Sequence, residues 1–231
     1  ALRSNFPLQK FWSAVFMGFI SIALSNLALA EGETGSEQLR QFVRNSKTAE
    51  GDFVQQQLRA PKASEPQDKG LKLVRQTQGH FVFQRPGRFV WETQKPYEQK
   101  LIANGNQLIL WDKDLNQLTM RPIGQSIQST PAAILFGGSA VEAYFDLIPG
   151  EEKGGMFWLE LKPKANSSGV EPPYSRIRIG MANGVPAGLE LHDNFGNVIL
   201  ITFSKIKTNA TVRSDAFKFT PPVGADVLKV Q

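Results

Sequence analysis

Residues 79–93 read GHFVFQRPGRFVWET, and this stretch constrains the fold more than any other. Its odd positions are Phe81, Phe83, Arg85, Gly87, Phe89 and Trp91; its even positions are Val82, Gln84, Pro86, Arg88, Val90 and Glu92. Side chains alternate across a strand with period two, so the odd set shares one face. That face carries four large aromatics and one arginine. Pro86 cannot donate to a sheet ladder, so Pro86-Gly87 predicts two strand pieces with a bend or bulge between them. A guanidinium on the most apolar face of the chain needs acceptors for its five donors, because burial without them is costly. Two readings are open on these residues. Either Arg85 sits at the rim and reaches water along an apolar stem, or the aromatic face lines a cavity and Arg85 is a latch, bonded to something that must move when the cavity fills.

The rest of the chain supplies a sheet for that stretch to join. Residues 34–47 predict an amphipathic helix, with Thr34 and Glu37 at capping-box spacing and Leu39, Phe42 and Val43 on one stripe that packs on a sheet. Residues 52–59 predict a strand, and 60–70 (APKASEPQDKG) a polar loop. Strands at 97–103 and 107–111 flank Asn104-Gly105-Asn106, a hairpin signal, and 117–121 follows a turn at 112–116. Beyond 155, alternating runs around Phe157, Ile177, Leu189 and Ile199 are separated by turns at Asn183-Gly184 and 193–197, and Phe217 and Phe219 make a last alternating pair. Between the two sets of strands the pattern changes. Thr130 and Pro131 open a short apolar helix through Ile134, Leu135 and Phe136, Gly137-Gly138 stops it, and Ser139 begins a second one through Val141 to Phe145. Helices this short need an apolar bed. They are either a core-filling crossover or a mobile lid over the aromatic face. With about eleven strand candidates and three helices, the expected fold is mainly β: an incompletely closed antiparallel barrel covered by helices.

Composition sets the compartment and removes several chemistries. Residues 1–30 carry Arg3 and Lys10 without an acid, a 14-residue apolar run at 11–24, and Ala28-Leu29-Ala30. That is the anatomy of a signal peptide cleaved after Ala30, and the run is short against the roughly 20 residues a spanning helix needs. The expected domain is residues 31–231, exported to the periplasm. Without Arg3 and Lys10 the chain keeps 24 basic and 21 acidic residues, too mild an excess to argue for nucleic acid. The absence of cysteine excludes disulfides, thiolate metal sites, a cysteine nucleophile and a lipidated N-terminal cysteine. His80 and His192 read as surface residues, and no G-x-S-x-G elbow, phosphate-cradling glycine motif or metal-ligand spacing occurs. The expectation is a monomeric binding protein with no cofactor, rather than an enzyme.

The segment Arg85-Pro86-Gly87-Arg88-Phe89-Val90-Trp91 resembles the R-P-x-x-F-x-W segment of the periplasmic outer-membrane lipoprotein carrier family (LolA). Pro96 and the Gly105 turn follow at similar spacing. LKPKA at 161–165 is similar to the family's L-x-P-K segment, and FTPPVGADV at 219–227 to its terminal F-x-P-P-x-G-x-D-V. The resemblance implies an open barrel with a helical lid and an apolar cavity for the acyl chains of lipoproteins. It also implies two partners: an inner-membrane ABC transporter that releases the cargo and an outer-membrane receptor lipoprotein that accepts it. Arg85 would bond lid carbonyls in the closed state, and Phe81, Phe83, Phe89, Trp91, Ile134, Leu135, Phe136 and Phe145 would line the cavity. Arg88 departs from the pattern, at a position that is often apolar. The alternative is an export-associated module that binds another lipid or a peptide on the same half-barrel.

A magnitude bounds the mechanism that the resemblance implies. Three acyl chains hold roughly 40 methylenes, and full burial at about 0.8 kcal/mol each would give on the order of 30 kcal/mol. Real affinities saturate near about 20 kcal/mol, and a carrier that tight could not unload. Burial must therefore be incomplete, or opposed by the work of opening the lid.

Overall fold

The computed structural model describes residues 34–66, 70–122, 135, 141–143, 145–164, 174–213 and 215–230, which belong to one compact unit. The chain begins with helix α1 (Gly35–Asn45), followed by β1 (Thr48–Arg59), β2 (Lys72–Gln84), β3 (Arg88–Lys95), β4 (Gln99–Asn104), β5 (Gln107–Asp112) and β6 (Gln117–Pro122). A 3₁₀ turn (Val141–Ala143) precedes β7 (Phe145–Lys153), β8 (Met156–Pro163), β9 (Arg176–Ala182), β10 (Val185–His192), β11 (Val198–Thr208) and β12 (Asp226–Lys229). The strands form one sheet in the order β12-β6-β5-β4-β3-β2-β1-β11-β10-β9-β8-β7, which is not closed into a barrel. Among the described residues every pairing is antiparallel except β12 with β6, which is parallel.

The mainly β, incompletely closed architecture is as expected, and four local expectations are corrected. Pro86-Gly87 marks a full reversal rather than a bend: residues 85–87 are a turn, and Gln84 pairs with Arg88 across a β2–β3 hairpin. The parity survives because the loop is odd. Phe81 faces Trp91 and Phe83 faces Phe89, so all four aromatics stay on one side. Strand β1 starts at Thr48, not Asp52; ladders to β2 and β11 on both sides hold its first residues extended. Gly51 is needed there, because a Cβ would lie 2.9 Å from the Phe81 ring. Phe145 does not continue a helix: it opens β7, an edge strand that accommodates Pro149 with a register shift. Phe217 and Phe219 are not in a strand; the last strand lies further on, at Asp226–Lys229.

The sheet buries side chains on both faces. The concave face carries the larger cluster, including Phe53, Phe81, Phe83, Phe89, Trp91, Leu159, Ile179, Leu189 and Phe203. Helix α1 covers it over β7 to β10 with Leu39 and Phe42, 1% and 3% exposed. Thr34 caps the helix, its hydroxyl accepting from Glu37 N–H at 3.3 Å, and Gln38 Oε1 accepts from Gly184 N–H in the β9–β10 turn. The convex face of β3 to β6 carries a second cluster, Ile102, Ile109, Trp111 and Leu118, with Phe219 packed on it.

Candidate functional site

The concave face over β1, β2, β3 and β11 is a stack of aromatic rings. Phe53 and Trp91 lie face to face at 3.9 Å between centroids, Phe81 lies parallel to Trp91 at 6.3 Å, and Phe203 meets both Phe81 and Trp91 edge-on at 5.6 and 6.2 Å. A glycine makes this possible: a Cβ on Gly79 would run into the Glu92 carbonyl oxygen and come within 2.9 Å of the Phe53 ring. The rings fill the space against one another, which is the arrangement of a closed site.

Arg85 is in the β2–β3 turn at the end of this stack. Its backbone N–H donates to Lys47 O at 2.8 Å, which fixes the turn. Its side chain bridges two segments: Nε donates to Ser46 O and one terminal nitrogen to Leu135 O, both at 3.2 Å. The guanidinium lies 4.8 Å over the Phe83 ring and 5.8 Å from Phe42. The two acceptors differ in how they are held. Ser46 is the C-cap of α1, in a linker that Asn209 braces with three bonds, to Lys47 N–H, Asn45 O and, through its own N–H, Thr48 O. Leu135 belongs to the connection from β6 to β7, which lie at or near opposite sides of the sheet. Arg85 therefore ties a braced frame to a crossing segment.

Burial pushes the Arg85 guanidinium down to about 10 from its ordinary value near 12.5. The sign matters: at neutral pH the charge is better hydrated in an open form, so desolvation works against closure and the carbonyl bonds and ring contacts work for it. At its other end the crossing segment is held by α1 and by the residue that follows β8, where Arg40 Nε donates to Glu142 Oε1 and Lys164 Nζ to Glu142 O, both at 2.7 Å. An apolar pocket of about 120 Å³ lies here, between Leu39, Val43, Val141 and Leu147.

Of the residues singled out from the sequence, Phe81, Phe83, Phe89, Trp91 and Leu135 come together in one buried cluster beside Arg85. Phe145 packs against it from a strand, half-buried. Ile134 and Phe136 lie outside the described residues. Sequence reasoning missed Ser46, Phe53, Phe203 and Phe42. Phe53 and Phe203 share the alternation of their strands, and Gly79, which faces Phe53 in the ladder, was the signal that a ring needed room. Nothing in the sequence marks Ser46, which acts through its carbonyl. Arg88, the departure from the R-P-x-x-F-x-W pattern, projects from the convex face and lies 5.5 Å over the Phe217 ring.

The family model described as outer membrane lipoprotein carrier protein LolA matches residues 44–220. The chain is 44% identical to the outer-membrane lipoprotein carrier protein of Ralstonia nicotianae, covering 92% of this chain and 94% of that one. It is 41% identical to that of Cupriavidus pinatubonensis, covering 94% and 93%. A structure of an uncharacterized conserved protein from Thermus thermophilus superposes with a TM-score of 0.51 at 12% identity, over 84% of this chain and 98% of that one, a likeness of fold alone. On the family match and the identities together, the chain belongs to the LolA family of outer membrane lipoprotein carrier proteins.

Proposed function

We propose that this protein is a lipoprotein carrier: it takes up the acyl chains of lipoproteins released from the inner membrane, shields them in the periplasm and delivers them to a receptor at the outer membrane. The single observation that carries the reading beyond family membership is Arg85. It sits at the end of an aromatic stack, bonded at once to the braced Ser46 carbonyl and to the Leu135 carbonyl of the crossing segment. In this mechanism the 123–144 connection is the lid. Acyl chains enter between the rings of Phe53, Phe81, Trp91 and Phe203 as Arg85 releases Leu135. Phe83, Phe89, Ile134, Phe136 and Phe145 complete the cavity wall. The cost of parting a packed stack lowers the affinity from the ceiling that full burial would set, and each ~1.4 kcal/mol of that cost weakens binding about tenfold. Transfer then needs a receptor whose cavity opens at lower cost, and no covalent chemistry. Residues 1–30 act as a leader removed after Ala30, an ABC transporter supplies the cargo, and a receptor lipoprotein accepts it.

The test is a release assay. The exported protein, purified after expression of the full chain, is added to spheroplasts that hold newly made lipoprotein in the membrane. The expected result is a one-to-one soluble complex with cargo. Folded protein that leaves all lipoprotein in the membrane would overturn the reading.

A further inference from the structure

The concave face changes character along β1 and β2. Toward the β2–β3 turn it is aromatic, through Ala49, Gly51 and Phe53 on β1 and Phe83, Phe81 and Gly79 on β2. Two residues further the same faces present Gln55 and Gln57 opposite Thr77 and Arg75, in unbroken register. Thr77 is buried, 7% exposed, and both glutamines are half-buried. Polar side chains on a largely apolar face are unexpected where a sheet only fills a core.

Arg75 gives this patch a direction. Its Nε is buried and has no hydrogen-bond partner among the described residues. An unmade bond from a buried charged donor is costly, so an empty donor of this kind points to an acceptor brought from elsewhere. The neighbouring Asp112 carboxylate attracts the guanidinium but makes no bond to Nε: its Oδ1 accepts from Leu115 N–H at 3.0 Å and its Oδ2 from the Gln99 amide at 2.6 Å. The guanidinium also lies over a ring, 5.9 Å from the centroid of Tyr97. Arg75 and Phe81 are six residues apart on one strand, roughly 20 Å at about 3.3 Å per residue. Arg85 lies beyond Phe81 in the opposite direction.

We propose that Arg75, with Gln55, Gln57 and Thr77, is a polar subsite that takes the ester and amide carbonyl oxygens of the cargo's acylated terminus. The inference rests on the carrier reading and adds an orientation to it. Acyl chains point toward Arg85, and the linking carbonyls and first peptide residues lie at the Arg75 end, where Tyr97 is 55% exposed. The chemistry fits the residue types: a guanidinium, two primary amides and a hydroxyl all donate, and ester and amide carbonyls only accept. Such a subsite discriminates lipoprotein from bare hydrocarbon, which the rings alone cannot do.

The test compares two ligands on the purified exported protein and its Arg75→Leu variant, with equal urea midpoints as the check on folding. One ligand is a synthetic lipopeptide with a triacylated N-terminal cysteine; the other is an octadecyl fluorophore with neither ester nor amide. A lost charge-assisted hydrogen bond predicts ten- to hundredfold weaker lipopeptide binding and less than twofold change for the octadecyl ligand. Equal loss for both ligands, or unchanged lipopeptide binding, overturns the subsite. Wild-type protein that takes the octadecyl ligand and ignores the lipopeptide overturns the carrier reading itself, and the two failures are distinct. A second measurement keeps the Arg75 guanidinium and removes at most the Tyr97 ring beside it. The chain has no cysteine, so Tyr97→Cys or Pro86→Cys each gives one labelling site for a photo-crosslinker. Attachment to the peptide part of the lipopeptide from position 97 and not from position 86 is expected; the reverse pattern overturns the orientation.

Discussion

Strands β3 to β6 bury apolar side chains on both faces, and the two faces are closed in different ways. On the convex side a strap of chain after residue 215 covers Ile102, Ile109, Trp111 and Leu118. Phe219 packs 5.3 Å from Trp111, and the strap ends as a strand in register with β6, from Asp226 opposite Gln117 to Lys229 opposite Met120. Backbone bonds flank this ladder, with Asp226 N–H on Asn116 O and Val230 N–H on Met120 O. On the concave side Leu135 is buried as deeply, yet it is fastened through an arginine side chain. A ladder shares its load over many backbone bonds that break together. A side-chain bond to a carbonyl breaks alone, and its desolvation cost is recovered when it does. On the proposed function, the ladder is the permanent closure and the arginine-held one is the closure that opens.

The first way to break that comparison is to damage the permanent side. Trp111→Ala should cost about 3–5 kcal/mol, since the indole is 6% exposed and packed against Phe219. Urea unfolding measures it. The surviving folded protein should load and hand over cargo at normal rates. If Trp111→Ala instead altered unloading with little loss of stability, the convex closure would belong to the mechanism and the distinction would fail.

Gly79→Ala tests the aromatic stack without touching either closure. The new Cβ meets the Glu92 carbonyl and the Phe53 ring, so the strands or the stack must shift, at about 1–3 kcal/mol. Stability and cargo affinity should fall together, because the same rings hold the core and, on the proposed function, receive the acyl chains. Loss of stability with unchanged cargo affinity would place the acyl chains elsewhere on the concave face.

Much of this was legible from residue order, and what was not has a common cause. Parity placed Phe81, Phe83, Phe89 and Trp91 on one face, and it remained correct through a reversal that was read as a bend, because both geometries preserve an odd spacing. The period-3.6 stripe of Leu39, Phe42 and Val43 marked α1, since propensity, cap and burial agree there. The start of β1 was hidden because Thr48-Ala49-Glu50-Gly51 has no strand preference of its own; its neighbours impose the conformation. Strand β12 was hidden because a four-residue edge strand with Val227 and Leu228 similarly exposed carries no alternation to read. Phe145 was misread because Val141 and Phe145 have helical spacing while their burial comes from different elements. The acceptor at Ser46 is a backbone atom, and sequence does not distinguish one carbonyl from another.

Arg85→Leu sharpens the comparison at smaller cost to stability. The bonds to the Ser46 and Leu135 carbonyls are lost and a buried charge is removed, so the change in unfolding free energy should stay within about 1 kcal/mol. Function should change far more. Without its fastening the empty closed form is no longer favoured over the loaded one, and the variant should accept lipoprotein but release little to the receptor. The measurement is the fraction of bound cargo transferred in a fixed time. Normal transfer by a folded variant would remove the latch role and leave Arg85 as a structural arginine capping the stack.

The smallest expected effect separates the faces by pH. On the convex side Asp52 accepts from Lys205 Nζ at 2.8 Å and sits 3.0 Å from His80 Nδ1, and these partners, Lys205 first, hold its carboxyl below the usual range. A lowered folded value means that the unfolded chain binds the proton more readily. The contribution is therefore fully present above the ordinary carboxylate range and is lost as pH falls through the lowered value. Asp52 and Lys205 are 36% and 79% exposed, so solvent screens the pair and it contributes only a small, salt-dependent amount at neutral pH. Asp52→Asn should lower stability by that amount at pH 7 and by progressively less as the solution is made more acidic. The Leu135 and Ser46 carbonyls that Arg85 engages do not titrate, so cargo transfer by Asp52→Asn should match wild type at every pH where both are folded. A transfer rate that shifted with the Asp52 titration would couple the convex face to the lid and make the two closures parts of one device.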